Sequence, residues 1–139
     1  MQQARIKVAR AHARFADARR NFHHQWSHKL TRDNQAVFTE TLNVKGLART
    51  RLAKSVHDVG WAQFVTFLEY KVVRRGRHFA KVYRAFPSSQ ICSACGHRDG
   101  PKPLSVRAWA CPNCDTWHDR NWNAGRNVHY EGRRILQAV

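Results

Sequence analysis

Apolar positions recur along the first thirty residues with a helical period. Val8, Ala11, Phe15, Ala18, Phe22 and Trp26 are spaced by three and four, which sets them along one narrow stripe of an α-helix. From Gln3 to about Leu30 the chain has neither Pro nor Gly and is rich in Ala, Arg and Lys, a composition that favours the same helix. The stripe is expected to face the core. Arg5, Lys7, Arg10, Arg14, Arg19 and Arg20 occupy the remaining faces.

The period then changes. Thr31 to Asn34 reads as a turn, and Ala36, Val37, Phe38 and Thr39 form an apolar, β-branched run suited to a buried strand, with Glu40 at its end. After Gly46, Ser55 is placed to cap a second helix with Val56, Val59, Phe64, Phe67 and Leu68 on its apolar face, stopping near Gly76. His78 to Phe86 reads as a second strand that Pro87 ends. Strand, helix, strand indicates an α/β protein. From Ser88 to Trp117 the periodicity vanishes and Cys, Gly and Pro cluster, as in a small module stapled by metal. Asn121 to about Leu136 is expected to form a last helix with Ala124, Val128 and Ile135 inward, although Gly125 and Gly132 weaken the pattern.

Charge narrows the function. Lys and Arg number 25 against nine Asp and Glu, a formal net charge of +16 over 139 residues. Such an imbalance disfavours a neutral metabolic enzyme and points to a polyanionic partner, nucleic acid before an anionic membrane. No run of about 18 apolar residues spans a bilayer and Met1 to Arg20 lacks the apolar core of a signal peptide, so a soluble, intracellular protein without a membrane partner is expected. Five Trp, seven Phe and three Tyr argue for a folded domain over a disordered basic tail.

The four cysteines form two pairs, Cys92 with Cys95 and Cys111 with Cys114, in the pattern C-x2-C-x15-C-x2-C. Two residues between thiols let a tight turn aim both sulfurs at one ion, and two such turns complete a tetrahedral zinc site. Disulfides are the rival reading, disfavoured because intracellular thiols stay reduced. Four thiolates leave no open coordination position, so the expected Zn2+ is structural. His97 and His118 flank the pairs and are not expected to be ligands. Arg98, Lys102 and Arg107 lie on the same segment with Trp109, which suits either a nucleic-acid surface or the cover of a small core.

The sequence resembles the C-terminal part of the TnpB (OrfB) family of transposon-encoded, RNA-guided DNA endonucleases. The arginine-rich first helix is similar to the one that precedes the family's second RuvC motif, and Thr39-Glu40-Thr41-Leu42-Asn43-Val44-Lys45-Gly46-Leu47 resembles that motif, with Glu40 on its catalytic Glu. Phe86-Pro87-Ser88-Ser89-Gln90, leading to Cys92 and Cys95, resembles the approach to the family's zinc ribbon. The third-motif pattern D-R-D-x-N-A is matched by Asp119-Arg120-Asn121-Trp122-Asn123-Ala124, so Asn121 replaces the catalytic Asp. Asp119 is a candidate substitute, or the cap of the last helix.

The resemblance implies an incomplete RuvC, RNase H-like α/β core with an inserted four-cysteine zinc ribbon and a long basic N-terminal helix. Residues 1–87 would be the partial core, 88–117 the ribbon and 118–139 the C-terminal helix. The first-motif strand with its Asp has no counterpart here, so the expected protein is truncated, binds DNA or RNA through Arg5, Arg10, Arg14, Arg20, Arg98, Lys102 and Arg107, and does not cut unaided. Two other readings stand beside it. One is a nuclease using Mg2+ in a site completed by another chain or by Asp119; the other is a zinc-ribbon interaction module. A prokaryotic cytoplasmic location follows from the same resemblance.

Overall fold

The structure is a computed structural model and describes residues 2–43, 46, 49 and 60–138. The chain divides into two compact units, residues 1–37 with 43–79 and residues 38–42 with 80–139. The elements are α1 (Gln2–Asp33), β1 (Ala36–Glu40), α2 (Trp61–Arg74), β2 (His78–Val82), β3 (Ala108–Ala110), β4 (Trp117–Asp119) and α3 (Arg120–Gln137). No helix among the described residues is long and apolar enough to cross a membrane.

In the first unit α1 packs against α2, but not through the stripe expected from the sequence. Val8, Phe15, Phe22 and Trp26 are exposed, Phe15 at 81%. The buried line is His23, Ser27 and Thr31, one residue per turn. Its hydroxyls are satisfied within the helix: Ser27 Oγ donates to His23 O, and Thr31 Oγ1 to Ser27 O at 2.8 Å. Small, internally bonded side chains admit the facing helix, whose Leu68 and Val72 are buried. His24 stacks on Phe67 with ring centroids 4.1 Å apart. Lys71 Nζ closes the seam by donating to His24 O at 2.8 Å and Ser27 Oγ at 2.7 Å.

The expected turn at Thr31 is instead the last turn of α1. Arg77 supplies the reason, since its guanidinium donates to the carbonyls of Thr31, Arg32 and Asn34 and satisfies acceptors that a helix end leaves without intrahelical partners. Ser55, Val56 and Val59 lie outside the described residues; the observed α2 follows Gly60. Its other end matches the expectation at Gly76, which has φ 61°. Arg77 N donates to Val72 O and Gly76 N to Val73 O, the paired bonds of a Schellman stop that requires a left-handed residue.

β1 and β2 form a two-stranded sheet. His78 N donates to Gln35 O at their starts and Thr41 N to Val82 O at their ends, so they run parallel with α2 as the crossover. β2 stops at Val82, not at Phe86, because its partner strand has ended; Phe86 N then donates to Tyr83 O in a turn.

In the second unit α3 buries Asn123, Asn127, Val128, Glu131 and Gly132. Of the expected inward residues Val128 is buried, whereas Ala124 and Ile135 are half-buried. The polar line anchors the chain between β2 and the first cysteine pair. Asn123 and Asn127 donate to Ile91 O at 2.8 and 2.7 Å, Asn127 also donates to Ser88 O at 2.8 Å, and Asn123 Oδ1 accepts from Ser93 N. Glu131 is held by Arg134 through two hydrogen bonds, which lower its pKa.

Gly132 is a notch for Phe38. A Cβ there would stand 2.3 Å from the Phe38 ring and 2.9 Å from its Cβ, so neither rotation nor a small shift of the ring relieves the clash. Gly132→Ala is therefore expected to destabilise this unit by about 1–3 kcal/mol despite the better helix propensity of Ala. Urea unfolding of the variant measures it, and a stability equal to wild type would refute the notch.

Candidate metal centre and nucleic-acid interface

The two cysteine turns share one backbone geometry. Gly96 N donates to Cys92 O and Asp115 N to Cys111 O, while Cys92 N donates to His97 O and Cys111 N to Thr116 O. The residue after each second cysteine, Gly96 or Asp115, has positive φ, 77° and 55°. The turns thus deliver four sulfurs to one place, all within 4.8 Å of one another. Cys92 to Cys114 and Cys95 to Cys111 are each 3.7 Å apart. A tetrahedron with metal–sulfur bonds of about 2.3 Å has edges of about 3.8 Å, whereas a disulfide is about 2.05 Å, so the spacing fits one tetrathiolate ion and the cysteines are free thiols.

Electrostatics divides the thiols. Burial pushes Cys92 up to about 11, while hydrogen bonds from the His97 backbone N–H and the Asn113 amide hold Cys95 down to about 6. Cys95 is therefore the ready thiolate, and Cys92 ionises when a cation is present to stabilise its charge.

β3 and β4 pair antiparallel and bring Trp109 opposite His118. Trp109 is buried in a cluster with Cys92 and Cys111, which decides its role in favour of the core. Lys102 lies over the Trp109 ring, 3.7 Å from its centroid, and pairs with Asp99 at 3.1 Å, so this cation is committed inside the ribbon. His118 Nε2 stands 3.0 Å from Cys92 Sγ. Burial, then Arg126 and Lys102, keep His118 below its usual pKa, and its contact with Cys92 Sγ braces that sulfur from outside the cluster. Cysteine spacing alone gives His118 no part in the site; its supporting role emerges from the strand register that faces it toward Trp109.

Glu40 ends β1, half-buried, with Ser88 Oγ donating to its Oε1 at 2.5 Å. Asp119 is the N-cap of α3, its Oδ1 accepting from Trp122 N at 2.9 Å. Asn121 is exposed in the first turn of that helix. Asp119 and Asn121 line one open groove of about 740 Å3, together with residues further along α3.

Arg5, Arg10 and Arg14 are exposed on α1, and Arg20 is exposed with an ion pair to Asp17 at 3.0 Å. Arg98 and Arg107 are exposed on the ribbon, Arg98 donating to Gln90 at 3.3 Å. Sequence reasoning missed a cationic cluster between α1 and α2. Tyr70, Lys71, Arg74 and Arg75 line a groove of about 340 Å3 with His28. An adjoining one of about 500 Å3 is lined by His24, Lys29, Arg32 and Lys71 among others. Among the described residues neither is lined by a carboxylate. Burial first, and then the neighbouring Arg75, lowers the Lys71 pKa.

Comparison with known proteins gives a consistent result. A family model of the Cas12f1-like TNB domain matches residues 61–128. A Streptomyces pristinaespiralis protein described as an RNA-guided DNA endonuclease is 44% identical over 128 residues, covering 91% of this chain and 32% of that protein. InsQ of Escherichia coli K12, given the same description, is 26% identical over 151 residues, covering 97% and 37%. A chain of the Cas12f1–sgRNA–target DNA complex superimposes with a TM-score of 0.69 at 18% identity, covering 91% of this chain and 38% of that one. In a CRISPR-Cas12f ternary complex the score is 0.64 at 18% identity, covering 88% and 25%. The chain spans about a third of the length of the curated relatives it matches. Fold and site together define a Cas12f1-like α/β module with a four-cysteine cluster placed to hold one metal ion. The chain is similar over nearly its whole length to part of the TnpB/InsQ proteins, and the curated members it matches are named RNA-guided DNA endonucleases.

Proposed function

We propose that this chain is the zinc-ribbon part of a TnpB-like RNA-guided DNA endonuclease, that it binds DNA or RNA through its basic surfaces, and that these 139 residues do not cut DNA unaided. The observation that carries the reading is the four-sulfur cluster, set beside the Glu40 strand end and α3 in one compact unit of a chain with net charge +16. The metal is zinc and its role is structural, because four thiolates saturate a tetrahedral ion. β1, α2, β2 and α3 are read as pieces of an RNase H-like core, interrupted by the ribbon between β2 and α3. The bacterial relatives fit a cytoplasmic protein.

The residues present do not fit a paired-Mg2+ centre. Such a centre gathers several carboxylates around two hard cations, and here Glu40 is joined at the third-motif position by the neutral amide of Asn121. Asp119 is engaged as a helix cap, and moving it to a metal would give up about 1 kcal/mol of capping. Purified chain is thus expected to leave DNA intact with Mg2+, and Asn121→Asp is expected to remain inactive, since it restores one position of the set. Gel analysis of labelled DNA decides this. Cleavage by wild type that disappears in Glu40→Ala would overturn it, and cleavage appearing only on addition of a chain bearing a first-motif strand would favour a site shared between chains.

A further inference from the structure

We infer that the exposed face of α3 is a track for single-stranded nucleic acid, on which Trp122 and Tyr130 stack against bases while Arg126 and Arg133 hold phosphates; this rests on the nucleic-acid-binding reading above. These residues follow one another at i, i+4, i+8 and i+11 and so lie along one side of the helix. The opposite side already carries the packing residues Asn123, Asn127 and Glu131, so the stripe is not required for the fold. Trp122 is 73% exposed and Tyr130 50% exposed, a large aromatic surface to leave in water.

The same stripe lines the 740 Å3 groove that holds Asp119 and Asn121. Its floor is braced: the His129 ring packs edge-on against Phe38 at 5.6 Å, and Arg126 Nη2 donates to Tyr130 OH at 3.3 Å. Among the described residues Asp119 is the one carboxylate lining the groove, and its Oδ1 is taken by the helix cap. Cations alternating with accessible aromatic rings match a strand whose bases are unpaired, since a duplex hides the base faces that a ring stacks on. Eight residues of helix rise about 12 Å, the span of roughly three stacked nucleotides at about 3.4 Å each. One end of the track lies at Asn121, so a bound strand would be presented to the third-motif position.

The test compares a labelled single-stranded oligonucleotide with its duplex, using the full zinc-bound chain. Trp122→Ala with Tyr130→Ala is expected to weaken single-strand binding at least thirty-fold, given about five- to hundred-fold per stacked base, and duplex binding by less than about three-fold. Trp122→Phe, which keeps a ring, is expected to restore most of the loss. Arg126→Gln with Arg133→Gln should lower the slope of log affinity against log salt by about 1.4 for single strands. Both aromatic positions are exposed, so unchanged metal content and circular dichroism will certify folding. Single-strand affinity equal to wild type in the double alanine variant would overturn this inference and leave the general nucleic-acid reading standing. Wild-type chain that binds neither oligonucleotide would overturn both.

Discussion

Replacing Cys111 by serine is expected to release the metal and melt the ribbon, while the α1–α2 pair stays helical. Cys111 is fully buried and packs with Cys92 and Trp109 in the small cluster at the metal site. β3 and β4 have three residues each, so hydrogen bonding between them adds little on its own. Zinc binding in small tetrathiolate or mixed modules amounts to about 10–16 kcal/mol at neutral pH, far more than so small a core supplies. Losing one sulfur also leaves three thiols facing one another without a cation, two of them buried or half-buried. Elemental analysis should fall from about one zinc per chain to near zero, and the near-ultraviolet dichroism of Trp109 should collapse with it. A variant that keeps its zinc and its aromatic signal would show that the ribbon folds without the tetrathiolate site.

Binding to DNA or RNA is expected to be steeply dependent on salt and nearly independent of sequence. The +16 charge is distributed over α1, the α1–α2 grooves and the ribbon. If six to ten phosphates are engaged, affinity should fall by about a thousand-fold or more between about 50 and 200 mM salt. Changing Arg10, Arg14 and Arg20 together to Gln should weaken binding and lower the duplex salt slope by up to about 2.7, at about 0.9 for each phosphate no longer neutralised. Arg20 already pairs with Asp17, so its contribution should be the smallest of the three. Fluorescence anisotropy across the salt range measures all of this, and a flat affinity would contradict it.

Elements governed by neighbouring residues were legible in the sequence. The first helix lacks breakers, the strand at Ala36–Glu40 is β-branched, Gly76 stops α2, and each cysteine pair contains its own turn. Faces were not legible, because partners distant in sequence decide them. α1 offers an apolar stripe and a hydroxyl line, and the line is buried since Lys71 and the α2 side chains meet it. α3 buries Asn123 and Asn127 because their amides donate to the carbonyl of Ile91, 32 and 36 residues earlier. Apolar periodicity carries no trace of such pairing. The same limit hid the cluster of Lys71, Arg74 and Arg75: cations on a helix read as a solvated face until a second helix supplies Lys29 and Arg32 nearby. Trp109 was undecided for a related reason, since only the β3–β4 register turns it onto the cysteines.

One assay reaches both halves of the proposed function: zinc-bound chain is mixed with labelled DNA or RNA in Mg2+, and binding and strand integrity are read from the same samples. The expected result is a complex that dissociates as salt rises, with the nucleic acid intact. A folded, zinc-bound chain that leaves DNA and RNA unbound at low salt would contradict it, and so would DNA cleavage that Glu40→Ala abolishes.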